Sequence, residues 1–118
     1  MLYIYKSINI DIMIPMEPLL IYKALSNETR RQIVEWLKNP ADHFDDTKHL
    51  EEGLTLQIGV CVADIQTKSG LAQSVISSYL STLEKSGLLE SERVGKWTFY
   101  RRNEETIQEF SEYIQKQL

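Results

Sequence analysis

The sequence predicts a mainly α-helical domain carrying one β-hairpin, and three observations predict it. Apolar residues recur with helical spacing in separate stretches, the longest over 72–86. Ser69-Gly70 breaks a shorter helical stretch just before it. Two alternating runs, 88–94 and 97–102, then meet across Gly95-Lys96. The 118 residues, 42% hydrophobic and 25% charged, suit one compact domain with a single core and exclude a wholly disordered chain. Thirteen basic residues against seventeen acidic leave a net charge of −4, which taken whole argues mildly against a polyanion partner. Net charge is silent on local patches.

Cys61, with no second cysteine, excludes an internal disulfide and points to a reducing, cytoplasmic setting. No apolar run approaches the roughly 18 residues of a membrane helix, so no membrane partner is expected. The stretch from Met1 to Met16 holds one basic residue and Asp11, unlike a secretory signal.

Each element has its own justification. From Leu2 to Ile14 nearly every even position is apolar (Leu2, Ile4, Ile8, Ile10, Ile12, Ile14), with Lys6 the exception. That is a strand pattern, which Pro15 would end. Two readings stay open: an N-terminal extension over 1–15 ahead of a domain at 16–118, or an element that packs or pairs. Glu17 to Leu25 reads as a short helix with Leu19, Leu20, Tyr22 and Ala24 apolar. Asn27 then caps a second helix, with Glu28 favouring its positive end. Ile33, Val34 and Leu37 face inward there, Trp36 adds apolar area, and Asn39-Pro40 stops the helix.

Residues 40–53 are polar and read as a loop or insertion. Leu54 to Val60 is a short candidate strand, and Val62 to Lys68 a short helix. The helix over 72–86 ends at Gly87, suited to a left-handed cap. Gly95-Lys96 suits a type II′ turn, because glycine tolerates the positive φ required. Asn103 caps a last helix with Glu104 and Glu105 in its first turn and Ile107, Phe110 and Ile114 along one face.

Helix, helix, turn, helix, hairpin, helix is the order of a winged helix-turn-helix, which lays one helix in a DNA major groove. In the helix over 72–86, Val75, Ile76, Tyr79, Leu80 and Leu83 form the core stripe. Gln73, Ser74, Ser77, Ser78 and Ser81 form the opposite face. Serine is a mediocre helix former, so that face was not filled for helix stability. Its small hydroxyls allow close approach to DNA, and the Gln73 amide matches the adenine edge. A plain solvated face is the alternative. Residues 53–103 hold six basic and four acidic residues, whereas both flanks are acidic. Arg93 and Lys96 flank the hairpin tip, placed for phosphates or the minor groove.

Three motifs carry a resemblance. Leu25-Ser26-Asn27-Glu28-Thr29-Arg30-Arg31-Gln32-Ile33-Val34 resembles the opening helix motif of the ArsR-type (ArsR/SmtB) winged helix-turn-helix transcriptional repressors. The run from Gly70 to Leu83, followed by Gly87-Leu88-Leu89, is similar to that family's recognition helix, and Arg93 to Tyr100 to its wing. The resemblance implies a homodimer that binds an inverted-repeat operator in double-stranded DNA and blocks transcription. It also implies dimerisation through the first and last helices, at Leu19, Leu20, Ile107, Phe110 and Ile114. Twofold symmetry would set two recognition helices about 34 Å apart.

Gly59 to Ile65 resembles the family's metalloid-binding segment, but Ala63 stands where a second cysteine is expected. One thiolate is a poor site for a soft metal. Cys61 therefore reads either as a small buried residue at a helix start or as a redox-sensing thiol. The last helix has Glu105, Glu109 and Glu112 but no histidine, so the family's other metal site does not transfer. His43, Asp45, Asp46 and His49 read as solvated loop residues. No metal, cofactor or enzymatic activity is expected, since no phosphate loop or nucleophile–base signature is present. Two alternatives are a redox- or metal-responsive sensor acting through Cys61, and a winged-helix protein-interaction module without DNA binding. The inducer is not specified by the sequence.

Overall fold

The structure, a computed structural model, describes residues 2–6, 11–45, 56 and 58–118, with 2–6 and 11–15 as backbone alone. In chain order it has β1 (Leu2–Lys6), β2 (Asp11–Pro15), α1 (Pro18–Ala24), α2 (Glu28–Lys38) and a 3₁₀ turn (Pro40–Asp42). Then follow β3 (Val60–Cys61), α3 (Val62–Ser69), α4 (Gln73–Lys85), β4 (Leu89–Val94), β5 (Trp97–Arg102) and α5 (Glu104–Gln117). Among the described residues no helix is long and apolar enough to cross a membrane.

The helix ends obey the local chemistry. Pro18 opens α1, where its missing N–H costs nothing. Asn27 caps α2 by accepting from the Arg30 N–H at 2.9 Å, and Asn103 caps α5 by accepting from Thr106 N–H at 3.2 Å. Gly87 lies just past α4 at φ +88°, a left-handed position that a side chain would strain.

The helices meet on one core. Ile21 of α1, Ile33 of α2, Ile65 of α3 and Ile76, Leu80 and Leu83 of α4 are wholly buried. Each such side chain contributes roughly 1.5–3 kcal/mol of burial free energy. An antiparallel sheet of order β3–β5–β4 closes the domain. Alternate residues of β5 feed two clusters: Tyr100 packs on the main core, while Phe99 and Trp97 join Cys61, Ile58, Val62 and Val94 in a second one.

Two expectations are corrected. The N-terminal alternation is not one strand but two, β1 and β2, paired antiparallel with Ile4 opposite Met13 and Tyr5 opposite Ile12. Lys6, the break in the pattern, ends the first strand. Folding back pairs backbone groups that a lone strand would leave open. Because even positions pair with odd ones, the continuous even-numbered pattern does not form a single face of the hairpin. Of the strand expected over 54–60, Val60 begins β3 (Val60–Cys61), residues 56, 58 and 59 are not strand, and 54, 55 and 57 lie outside the described residues. Gly59, at φ +138°, interrupts extended backbone just before it. A side chain at Gly59 would also meet the Tyr100 carbonyl oxygen at 2.6 Å. Within the expected loop over 40–53, Pro40–Asp42 forms the 3₁₀ turn, and 46–53 lie outside the described residues.

Candidate nucleic-acid interface

The helix-turn-helix is built from α3, a tight turn and α4. Gly70 ends α3 in the left-handed region, at φ +70° and ψ +9°. A Cβ there would meet nothing within 4 Å, so backbone conformation rather than space favours glycine. The Ser69 hydroxyl donates to the Gln66 carbonyl at 2.8 Å and accepts from the Leu71 N–H at 3.1 Å, which fixes the turn.

On α4 the two faces separate as the spacing requires. Ile76, Leu80 and Leu83 are buried, and Val75 and Tyr79 are half-buried beside them. Gln73, Ser74, Ser77 and Ser78 are exposed, with Ser81 half-buried at the edge of the same face. The predicted DNA-facing residues thus share one surface.

Tyr79 has a role beyond the core stripe. Its hydroxyl accepts from Asn27 Nδ2 at 3.3 Å, and the Arg30 guanidinium lies 5.2 Å from its ring centroid. Arg30 also donates to the Ala24 carbonyl at 2.7 Å and the Lys23 carbonyl at 3.0 Å, closing the end of α1. Asn27 and Arg30 therefore clasp the middle of α4 to the α1–α2 corner. Sequence reasoning saw Asn27 only as a cap; the available signal was a tyrosine in a core stripe, whose hydroxyl needs a polar partner.

The wing is the β4–β5 hairpin. Gly95 has φ +61° whereas Lys96 is not left-handed, the combination of a type II′ turn. Arg93 and Lys96 are exposed at the tip. Arg93 Nε donates to the Gly95 carbonyl at 3.2 Å, and Lys96 Nζ sits 5.1 Å from the Trp97 ring centroid. The other arginines of the wing are occupied nearer its base. Arg101 pairs with Glu90 and Glu92, each at 2.9 Å, and Arg102 makes a two-point bond with Glu104 at 2.7 and 2.9 Å. The basic surplus of this segment thus has Arg93 and Lys96 as its exposed members at the tip. At the base, burial first and the nearby Glu84 carboxylate second raise the Tyr100 pKa above its usual 10.0. Glu84 also accepts from the Ser91 hydroxyl at 2.5 Å, joining α4 to β4.

Known proteins share this arrangement. No protein-family model matches the chain. The HTH-type transcriptional regulator YbzH of Bacillus subtilis is 43% identical over 104 residues, covering 87% of this chain and all of that one. The arsenical resistance operon repressor of Escherichia coli is 32% identical over 84 residues, which span 71% of this chain but 57% of the repressor. In structure, the homodimeric winged helix-turn-helix DNA-binding domain of Mb0332 from Mycobacterium bovis, a possible ArsR-family regulator, superposes with a TM-score of 0.56. It is 26% identical, with 79% of this chain and 70% of that one covered. The chain belongs to the ArsR family of winged helix-turn-helix transcriptional regulators. It is a DNA-binding transcriptional regulator, and its relatives are regulators rather than enzymes.

In this ArsR-family regulator Cys61 is only 2% exposed, at the start of α3 and opposite Phe99 in the sheet. It occupies the second apolar cluster, out of direct reach of solvent. Of the polar group in the 40–53 loop, His43 and Asp45 are exposed, whereas Asp46 and His49 lie outside the described residues. Among the described residues no group of three or more metal-ligating side chains gathers.

The expected dimer residues lie at the α1 and α5 surface. Leu19 is 62% exposed and Leu20 40%. Tyr22, 43% exposed, meets Phe110 edge-to-face at 5.5 Å and so joins the two helices. Ile107, Phe110 and Ile114 are half-buried. The line of α5 that turns fully inward runs through Thr106, which leaves the apolar line beside it partly uncovered. Tyr22 was missed as a member of this surface, although it lies one helical turn from Leu19.

Proposed function

We propose that this ArsR-family regulator is a cytoplasmic, homodimeric repressor that binds an inverted-repeat operator in double-stranded DNA. The observation that carries the reading is the exposed face of α4, small and polar along Gln73, Ser74, Ser77, Ser78 and Ser81 over a wholly apolar opposite side. That face enters the major groove, while Arg93 and Lys96 anchor the wing on phosphates or in the minor groove. Residues 16–118 form the DNA-binding domain, with 1–15 an extension ahead of it. Two copies join through Leu19, Leu20, Ile107, Phe110 and Ile114. A palindromic site then presents half-sites about 34 Å apart, one turn of duplex. With so small a basic surplus, affinity relies on dimer geometry and base contacts more than on bulk charge.

The test is selection of bound duplexes from a random pool, followed by titration of the winner across a salt series. The expected result is a palindromic sequence whose affinity falls linearly in log–log form as salt rises. Absence of salt-dependent binding to any duplex would favour a winged-helix protein-interaction module instead.

A further inference from the structure

Gln73 and Ser77 stand one turn apart on the exposed face of α4, and the Gln73 side-chain amide donates to the Ser77 hydroxyl oxygen at 2.8 Å. An exposed bond of this spacing adds little to helix stability. Serine at this position also costs helix propensity relative to alanine. The bond does have one strong consequence. A free glutamine side chain samples many rotamers, and ordering it on binding subtracts from affinity. Here that ordering is already made in the unbound protein.

Resting on the DNA-binding face assigned above, we propose that Gln73 reads an adenine in each half-site and that Ser77 is its positioning residue. A glutamine amide has two N–H donors and one carbonyl oxygen. Ser77 engages one of those two N–H groups. The other N–H and Oε1 are the pair complementary to adenine N7 and N6. Guanine presents acceptors at both N7 and O6, so the oriented amide meets a repulsive oxygen there. Ser77 thereby sharpens base choice without itself touching the base.

The experiment measures affinities of the full-length chain for its selected duplex and for copies with each A·T pair changed to G·C. The wild type, Q73A, S77A, S77T and the Q73A/S77A double variant are compared. Wild type is expected to favour A·T by about 5- to 150-fold at one base pair per half-site. Q73A abolishes that preference. S77A reduces it by about 2- to 12-fold, the cost of ordering one long side chain on binding. S77T, which keeps the hydroxyl, restores it, and S77A has no further effect on preference in the Q73A background. Equal loss with S77A on A·T and G·C duplexes, or additive losses in the double variant, would mean that Ser77 contacts DNA independently, and the proposal falls. If Q73A leaves every base preference intact, the assigned reading face is itself wrong, a failure distinct from that of Ser77.

Discussion

The exposed face of α4 and the exposed face of the α1–α5 surface differ in what they leave uncovered. On α4 the outward residues are small and polar, with Gln73 and Ser77 bonded to each other across one helical turn. On α1 the outward residues are large and apolar, with Leu19 at 62% exposure, and Tyr22 packs edge-on against the half-buried Phe110 of α5. A lone exposed leucine needs no explanation, but a continuous apolar surface on two adjacent helices marks a partner of like character. A serine-rich helix face marks the opposite, a partner whose polar edges must be approached closely. The same small domain thus carries two surfaces of opposed chemistry, which we propose serve a second copy of itself and DNA respectively.

Substitutions can break that comparison, beginning with the largest effect. Leu80 is wholly buried on the inner side of α4, and Leu80→Ala should cost about 2–5 kcal/mol in urea unfolding. Ser78→Ala on the outer side should shift stability by less than about 0.5 kcal/mol while weakening operator binding. Equal destabilisation by the two would show that the faces of α4 are not distinct. Next, Leu19→Asp should leave monomer folding nearly intact but weaken self-association by more than about 2 kcal/mol, seen in sedimentation equilibrium. An unchanged association constant would move the dimer surface elsewhere. The smallest effect belongs to the wing. Lys96→Ala should weaken binding to all duplexes alike and lower the log–log salt slope by about 0.9, one phosphate contact. A sequence-dependent loss would make Lys96 a base reader rather than an anchor.

Much of this molecule was legible in its residues. The caps at Asn27 and Asn103 and the glycines at 70, 87 and 95 mark element ends because their reasons are local: a side-chain acceptor, or a tolerated left-handed φ. The inner stripe of α4 was legible because helical spacing is itself a statement about which residues share a face. Less legible was the N-terminal alternation, which runs on as one pattern although Leu2–Lys6 and Asp11–Pro15 are two strands paired antiparallel. Period two reports an extended chain but not where that chain reverses. The start of β3 shifted for a different reason. Gly59 lies against the Tyr100 carbonyl, a neighbour distant in sequence.

The sequence by itself determined the order of the helices and the wing, the family and the division of α4 into an apolar and a polar face, because capping, turn chemistry and helical period act over a few residues. Only the tertiary structure decided how charges and hydroxyls are occupied. Arg101 and Arg102 count toward a basic segment in composition, yet they are bound to Glu90, Glu92 and Glu104, while Arg93 and Lys96 stay exposed at the tip. The clasp of Asn27 and Arg30 on Tyr79 joins residues about fifty positions apart. Ion pairing, aromatic contact and buried hydrogen bonds depend on distances in space, and a linear pattern carries no distance between residues far apart along the chain.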